Sequence, residues 1–193
     1  MNIIGPRRIA LLTACLAVTA QAALARVDVK VEHDKAFNFK AVQSWGWNAA
    51  GPGEVKMART KDDDPEAMTA RVQPTIVDAV QTEMSGRGLQ RIETAPDLVL
   101  TYYLLLTTNM STQTMGQFLP ATVAWGLPPF AQSTQSLEMV NRGSLVLDLS
   151  AKGTVVWRGV AQAQIKMDTD EKKRQALLRE GVRDLLRRYP PKS

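Results

Sequence analysis

The run 98–107, Leu-Val-Leu-Thr-Tyr-Tyr-Leu-Leu-Leu-Thr, constrains the fold more than any other stretch of the chain. It is apolar at odd and at even positions, and in a strand successive side chains point to opposite faces. Such a strand needs cover on both sides, which predicts a place in the middle of a sheet. Pro96-Asp97 turns the chain into it.

Its expected neighbours show cleaner alternation. Val27, Val29 and Val31 alternate with Asp28, Lys30 and Glu32, a half-buried strand. Leu145, Leu147 and Leu149 alternate with Val146, Asp148 and Ser150, and Val155, Trp157, Gly159 and Ala161 alternate with Val156, Arg158 and Val160. Ala151-Lys152-Gly153 fits a three-residue hairpin loop with its glycine in the left-handed region. An odd loop puts the leucines and Trp157 on one face, and Asp148 and Arg158 on the other as a cross-strand ion pair. Phe37, Phe39, Trp45 and Trp47 all occupy odd positions, so an extended 37–47 would line one face with four aromatics, ending at Gly51-Pro52-Gly53. Arg91-Ile92-Glu93 reads as a short strand.

Two helices follow from period and punctuation. Asp64 ahead of Pro65 and Glu66 is a helix start, with Pro74 a second possible start after a kink or break. Val72, Ile76, Val80 and Met84, widened by Val77, form an apolar stripe that Gly86 and Gly88 terminate. The last helix begins near Asp168 or Asp170 and runs to Tyr189, where Pro190-Pro191 forbids continuation. Its stripe is Leu177, Leu178, Val182, Leu185, Leu186 and Tyr189, and its acidic start and basic end suit the helix dipole. The expected class is α+β, one largely antiparallel β-sheet with the two helices packed on one face.

The segment 1–25 reads as an export leader: Arg7 and Arg8, the apolar stretch 9–18, and small-residue cleavage sites before Ala23 or Arg26. In a bacterium the mature chain 26–193 would then be periplasmic or otherwise extracytoplasmic. Leu12-Thr13-Ala14-Cys15 offers the alternative of a lipoprotein signal 1–14 with a lipidated Cys15, giving a membrane-anchored lipoprotein. The short apolar run before Cys15 and the apolar Leu16-Ala17-Val18 after it favour ordinary cleavage. A retained span is disfavoured, because 9–25 falls short of the ~20 apolar residues required and is broken by Gln21.

Cys15 is the only cysteine, so ordinary cleavage leaves no disulfide and stability must come from a packed core. One domain of 26–193 is long enough for that core. Removing Arg7 and Arg8 takes two charges from the net +5 of the full chain. Scattered Lys and Arg on a mildly basic, exported chain give no nucleic-acid footprint.

Several motifs in order carry a resemblance. Val27-x-Val29-x-Val31, the aromatic 39–47, Gly88-Leu89, Pro96-Asp97-Leu98-Val99, Gly143-Ser144-Leu145-Val146-Leu147-Asp148-Leu149, Val156-Trp157-Arg158-Gly159 and Tyr189-Pro190-Pro191 resemble the bacterial envelope family called domain of unknown function 4136. The resemblance covers almost the whole mature chain. It implies export, often as a lipoprotein, and one α+β domain, with no established activity, cofactor or catalytic residue to carry over.

Candidate sites divide into core readings and one surface. A Trp45-Gly46-Trp47 sugar platform competes with a core role, which aromatics at period two more often have. Asp148 with Arg158 favours structure over carboxylate binding. His33, the only histidine, speaks against a Ser-His-Asp hydrolase and a histidine zinc site. Asp62-Asp63-Asp64 lacks the spaced acceptors of a calcium loop and reads as a solvated helix start. No catalytic, cofactor or metal residue is assigned.

The long insertion 108–135 is the functional lead. It is uncharged, and Phe118, Leu119, Trp125, Leu127 and Phe130 would form an interaction surface for an envelope protein or the lipid interface. The expectation is an exported cell-envelope protein acting as a non-enzymatic binding or assembly module, without cofactor. The alternatives are an enzyme with a cryptic carboxylate pair, and a periplasmic carrier of a small ligand beside Trp45, Trp47 or Trp157.

Overall fold

The computed structural model describes residues 27–57, 64–106, 143–163 and 170–191. Seven strands form one sheet: β1 (Asp28–His33), β2 (Ser44–Trp47), β3 (Gly53–Met57), β4 (Gln90–Arg91), β5 (Leu98–Leu106), β6 (Ser144–Ala151) and β7 (Thr154–Gln162). Among the described residues two helices, α1 (Pro65–Ser85) and α2 (Glu171–Leu186), join them. The order across the sheet is β1-β7-β6-β5-β2-β4, with β3 also paired to β5.

The α+β class holds, but the sheet is mixed where a largely antiparallel one was expected. β1, β7, β6 and β5 are antiparallel neighbours. β2 and β3 run parallel to β5, and β4 runs parallel to β2. The cause is connectivity: β2 and β3 precede α1 and β5 follows it, and a helical crossover brings the chain back in the same direction.

The alternation of β5 and β6 separates two sets of buried residues. Leu98, Leu100, Tyr102, Leu104, Leu145, Leu147, Leu149 and Trp157 share one core with Ile76, Val80 and Met84 of α1 and Val182, Leu185 and Leu186 of α2. Both helices therefore lie on one face and touch each other. Tyr103, Leu105, Val146 and Val160 form a second cluster from the alternate positions. Burial on both faces is what the run 98–107 demanded, and β5 is interior to the sheet.

Helix ends follow the local chemistry. Asp64 caps α1 by accepting from the N–H groups of Glu66 and Ala67, and Asp170 caps α2 by accepting from that of Lys173. Pro74 lies inside α1 and starts no separate helix. The stretch 37–47 is not extended throughout: Phe39–Ala41 is a 3-10 turn, so Phe37 and Phe39 meet edge to face at 4.8 Å and do not join Trp45 and Trp47 in a four-aromatic strand.

The β6–β7 turn also departs in detail. Ala151 pairs with Thr154, leaving a two-residue loop in which Lys152 and Gly153 both have positive φ, 50° and 80°. A register shift after Leu149 opposes Leu149 to Trp157 but Ser150 to Val155. This bulge supplies the odd residue that a three-residue loop would have supplied, so the expected facing of Leu149 and Trp157 is kept.

Candidate functional site

Directly opposed residues in a sheet share a face, so the register across β5, β6, β7 and β1 places Thr101, Asp148, Arg158 and Glu32 in one polar row. The row lies on the face away from the helices. At its centre the Arg158 Nε–H and an Nη2–H donate to the two Asp148 carboxylate oxygens, each at 2.6 Å. The alternation of β6 and β7 pointed to this pair, though as a modest hairpin contact. Its burial is the new fact: Asp148 and Arg158 are each 1% exposed.

Electrostatics follow from that burial. Desolvation pushes the Asp148 carboxyl up, while the hydrogen bonds and charge of Arg158 pull it back. Burial likewise raises Glu32, against the pull of Arg158. Beside the row, Lys56 sits 5.7 Å from the centre of the Tyr103 ring and pairs with Glu54 at 3.0 Å. Both Asp148 oxygens are taken up by Arg158, so the pair works as a cross-strand clamp and not as a carboxylate receptor.

Trp45 and Trp157 belong to the core, and Trp47 packs against it. Trp45 and Trp157 are fully buried, and Trp45 meets the half-buried Trp47 edge to face at 5.4 Å. Neither buried indole offers a platform to solvent. Gly46 between the first two is required by packing, since a Cβ there would run into the Ile92 carbonyl. Of the Asp62-Asp63-Asp64 run, Asp64 is the α1 cap, as read.

Phe118, Leu119, Trp125, Leu127 and Phe130, the insertion 108–135 that holds them, and Cys15 in the segment read as a leader all lie outside the described residues. What the structure adds is their attachment point. Leu105 and Ser144 are the last opposed pair of β5 and β6, so the chain leaves and returns to the sheet at neighbouring positions. Among the described residues, no helix is long and apolar enough to cross a membrane.

A groove of about 550 Å³ was not anticipated. It lies where β1 ends, the 3-10 turn begins and Pro191 follows α2, lined by His33, Lys35, Phe37, Phe39 and Lys40. The sequence signal was the short stretch His33-Asp34-Lys35-Ala36-Phe37-Asn38-Phe39-Lys40, which interleaves cations with aromatics. With 37–47 read as extended, it had no reason to close into a concave surface.

Residues 29–191 match the family described as "Domain of unknown function (DUF4136)", which is most of the chain. The chain belongs to the DUF4136 family. A DUF4136 protein from Bacteroides thetaiotaomicron has a similar fold, with a TM-score of 0.53 and 16% identity over 85% of this chain and 96% of that one. A PDZ domain protein from Parabacteroides distasonis gives a TM-score of 0.49 at 11% identity, covering 87% of this chain and 37% of the other. A minor lipoprotein from Acinetobacter baumannii gives 0.27 at 9% identity, covering 76% and 88%. No curated protein matches the sequence.

Proposed function

We propose that this DUF4136 protein is an exported, non-enzymatic module of the bacterial cell envelope, periplasmic or held on a membrane, that acts by binding or assembly through the segment 108–135. The supporting observation is the mounting of that segment. It connects β5 and β6, interior strands opposed over seven residue pairs from Val99 with Ser150 to Leu105 with Ser144. A long uncharged insertion carrying Phe118, Leu119, Trp125, Leu127 and Phe130 on so well buried a base has the composition of a contact surface for an envelope protein or the lipid interface.

Because Leu105 and Ser144 are opposed, a short turn can replace 108–135 without parting the strands. The shortened protein should keep its unfolding temperature and lose partner capture from envelope extracts or adhesion to phospholipid vesicles. Undiminished capture and adhesion refute the reading. Mass analysis of the mature N-terminus tests export separately: a start at Ala23 or Arg26 means ordinary cleavage, and an acylated Cys15 means an anchored lipoprotein. An uncut leader overturns the export half of the proposal.

A further inference from the structure

The groove beside the 3-10 turn combines charge with an aromatic floor. Lys35 and Lys40 are exposed, and neither makes an ion pair among the described residues. Among the described lining residues the one acid is Asp34, whose Oδ1 accepts from the N–H of Ala36 at 2.8 Å. The floor is rigid: Phe37 meets Phe39 at 4.8 Å, His33 meets Phe39 at 6.0 Å, and Phe39 rests on the buried Tyr189 at 5.9 Å. About 550 Å³ is the size of a site for one small molecule.

We infer that this groove binds a small organic anion, a ring bearing a carboxylate or phosphate, with the charged group on Lys35 and Lys40 and the ring against Phe37. Charge complementarity carries the first half, since two exposed ammonium groups that have no carboxylate partner among the described residues favour an anion. The half-buried Phe37 carries the second, because a ring that covers it removes apolar surface from water. A charged sugar has this chemistry, whether free or as a unit of an acidic polysaccharide. The inference goes beyond the role proposed for 108–135 and uses none of those residues.

The test is titration of the isotope-labelled full-length protein, followed by amide shifts, with glucuronate, glucose 6-phosphate, glucose, inorganic phosphate and a short polyglucuronate. Expected is a saturable shift at residues 33–40 with glucuronate or glucose 6-phosphate, absent with glucose and weakened by salt. Combining Lys35→Gln and Lys40→Gln should weaken binding by about tenfold or more while the unfolding temperature holds. Tighter binding of the polyglucuronate than of glucuronate assigns the site to a polymer, and equal binding assigns it to the free acid. No saturable shift with either charged sugar, inorganic phosphate binding as well as glucose 6-phosphate, or a double variant that binds undiminished overturns the inference. Deleting 108–135 should leave these shifts in place, so the two proposals fail independently.

Discussion

Arg87, two residues beyond the end of α1, donates its Nε–H to the Leu186 carbonyl at the last turn of α2, at 3.0 Å. The same nitrogen reaches the Tyr189 carbonyl at 3.3 Å, and Nη1 is held by Glu83 at 2.8 Å. One side chain thus ties the end of α1 to that of α2, across a bond whose partners lie 99 residues apart in sequence. It places positive charge where the α2 carbonyls lack intrahelical partners. Arg87→Met should cost about 1–2 kcal/mol, read as a lower urea midpoint with an unchanged slope. An unaltered midpoint would mean that solvent satisfies those carbonyls equally well.

The Asp148–Arg158 clamp predicts a strong asymmetry between single and double substitution. Arg158→Met leaves a buried carboxylate and should cost about 3–5 kcal/mol at neutral pH. Adding Asp148→Leu should recover most of that loss, because two apolar residues replace two desolvated charges. The pH sense follows from the raised Asp148 carboxyl. A raised folded value means stability that is present below the ordinary 3.8 and lost as pH rises through the folded value. Removing Arg158 takes away the hydrogen bonds and charge that pull this carboxyl down, so the variant's Asp148 is raised further and its deficit should shrink in acid; a deficit constant with pH would contradict the assignment.

Gly159 has no room for a methyl group. A Cβ there would come within 2.6 Å of the Trp157 ring and 2.7 Å of Leu185. Both neighbours are fully buried, so neither moves freely. Gly159→Ala should cost about 1–3 kcal/mol and perturb the near-ultraviolet circular dichroism of the packed indole. Native stability with an unchanged spectrum would show that α2 shifts to make space.

Acid should loosen two exposed carboxylates. Asp97 is held below its ordinary 3.8 first by the Gln43 N–H, then by the hydroxyl and N–H of Ser44. Asp170 is held down first by the Lys173 N–H at the start of α2. A depressed folded value gives stability that is present above 3.8 and lost as pH falls through the folded value. The urea midpoint should decline below about pH 4, and Asp97→Asn should flatten that decline. An identical acid limb in the variant would place the loss elsewhere.

Most of the architecture was legible from periodicity, because burial acts on each side chain where it stands. Period two marked β1, β6 and β7, double-sided apolarity marked β5, and the stripes of Val72, Ile76, Val80 and Met84 and of Val182, Leu185 and Leu186 marked the helix faces. Even the shared face of Asp148 and Arg158 could be read, since hairpin parity is a local count, whereas their direct opposition depends on the bulge after Leu149. Alternation says which face a residue takes, not which strand lies beside it. The parallel pairing of β2 and β3 with β5 therefore needed the α1 crossover.

The sequence by itself determined the family, the α+β class and the cap at Asp64, and it narrowed the start of α2 to Asp168 or Asp170 and favoured a core role for Trp45. Tertiary structure alone decided that Asp148 and Arg158 are desolvated, that Arg87 closes α2, and that residues 33–40 fold into a cationic groove against Pro191. The reason is range. Caps and periods arise between residues a few positions apart, whereas solvent exclusion and concavity depend on segments that meet only after the chain has closed on itself.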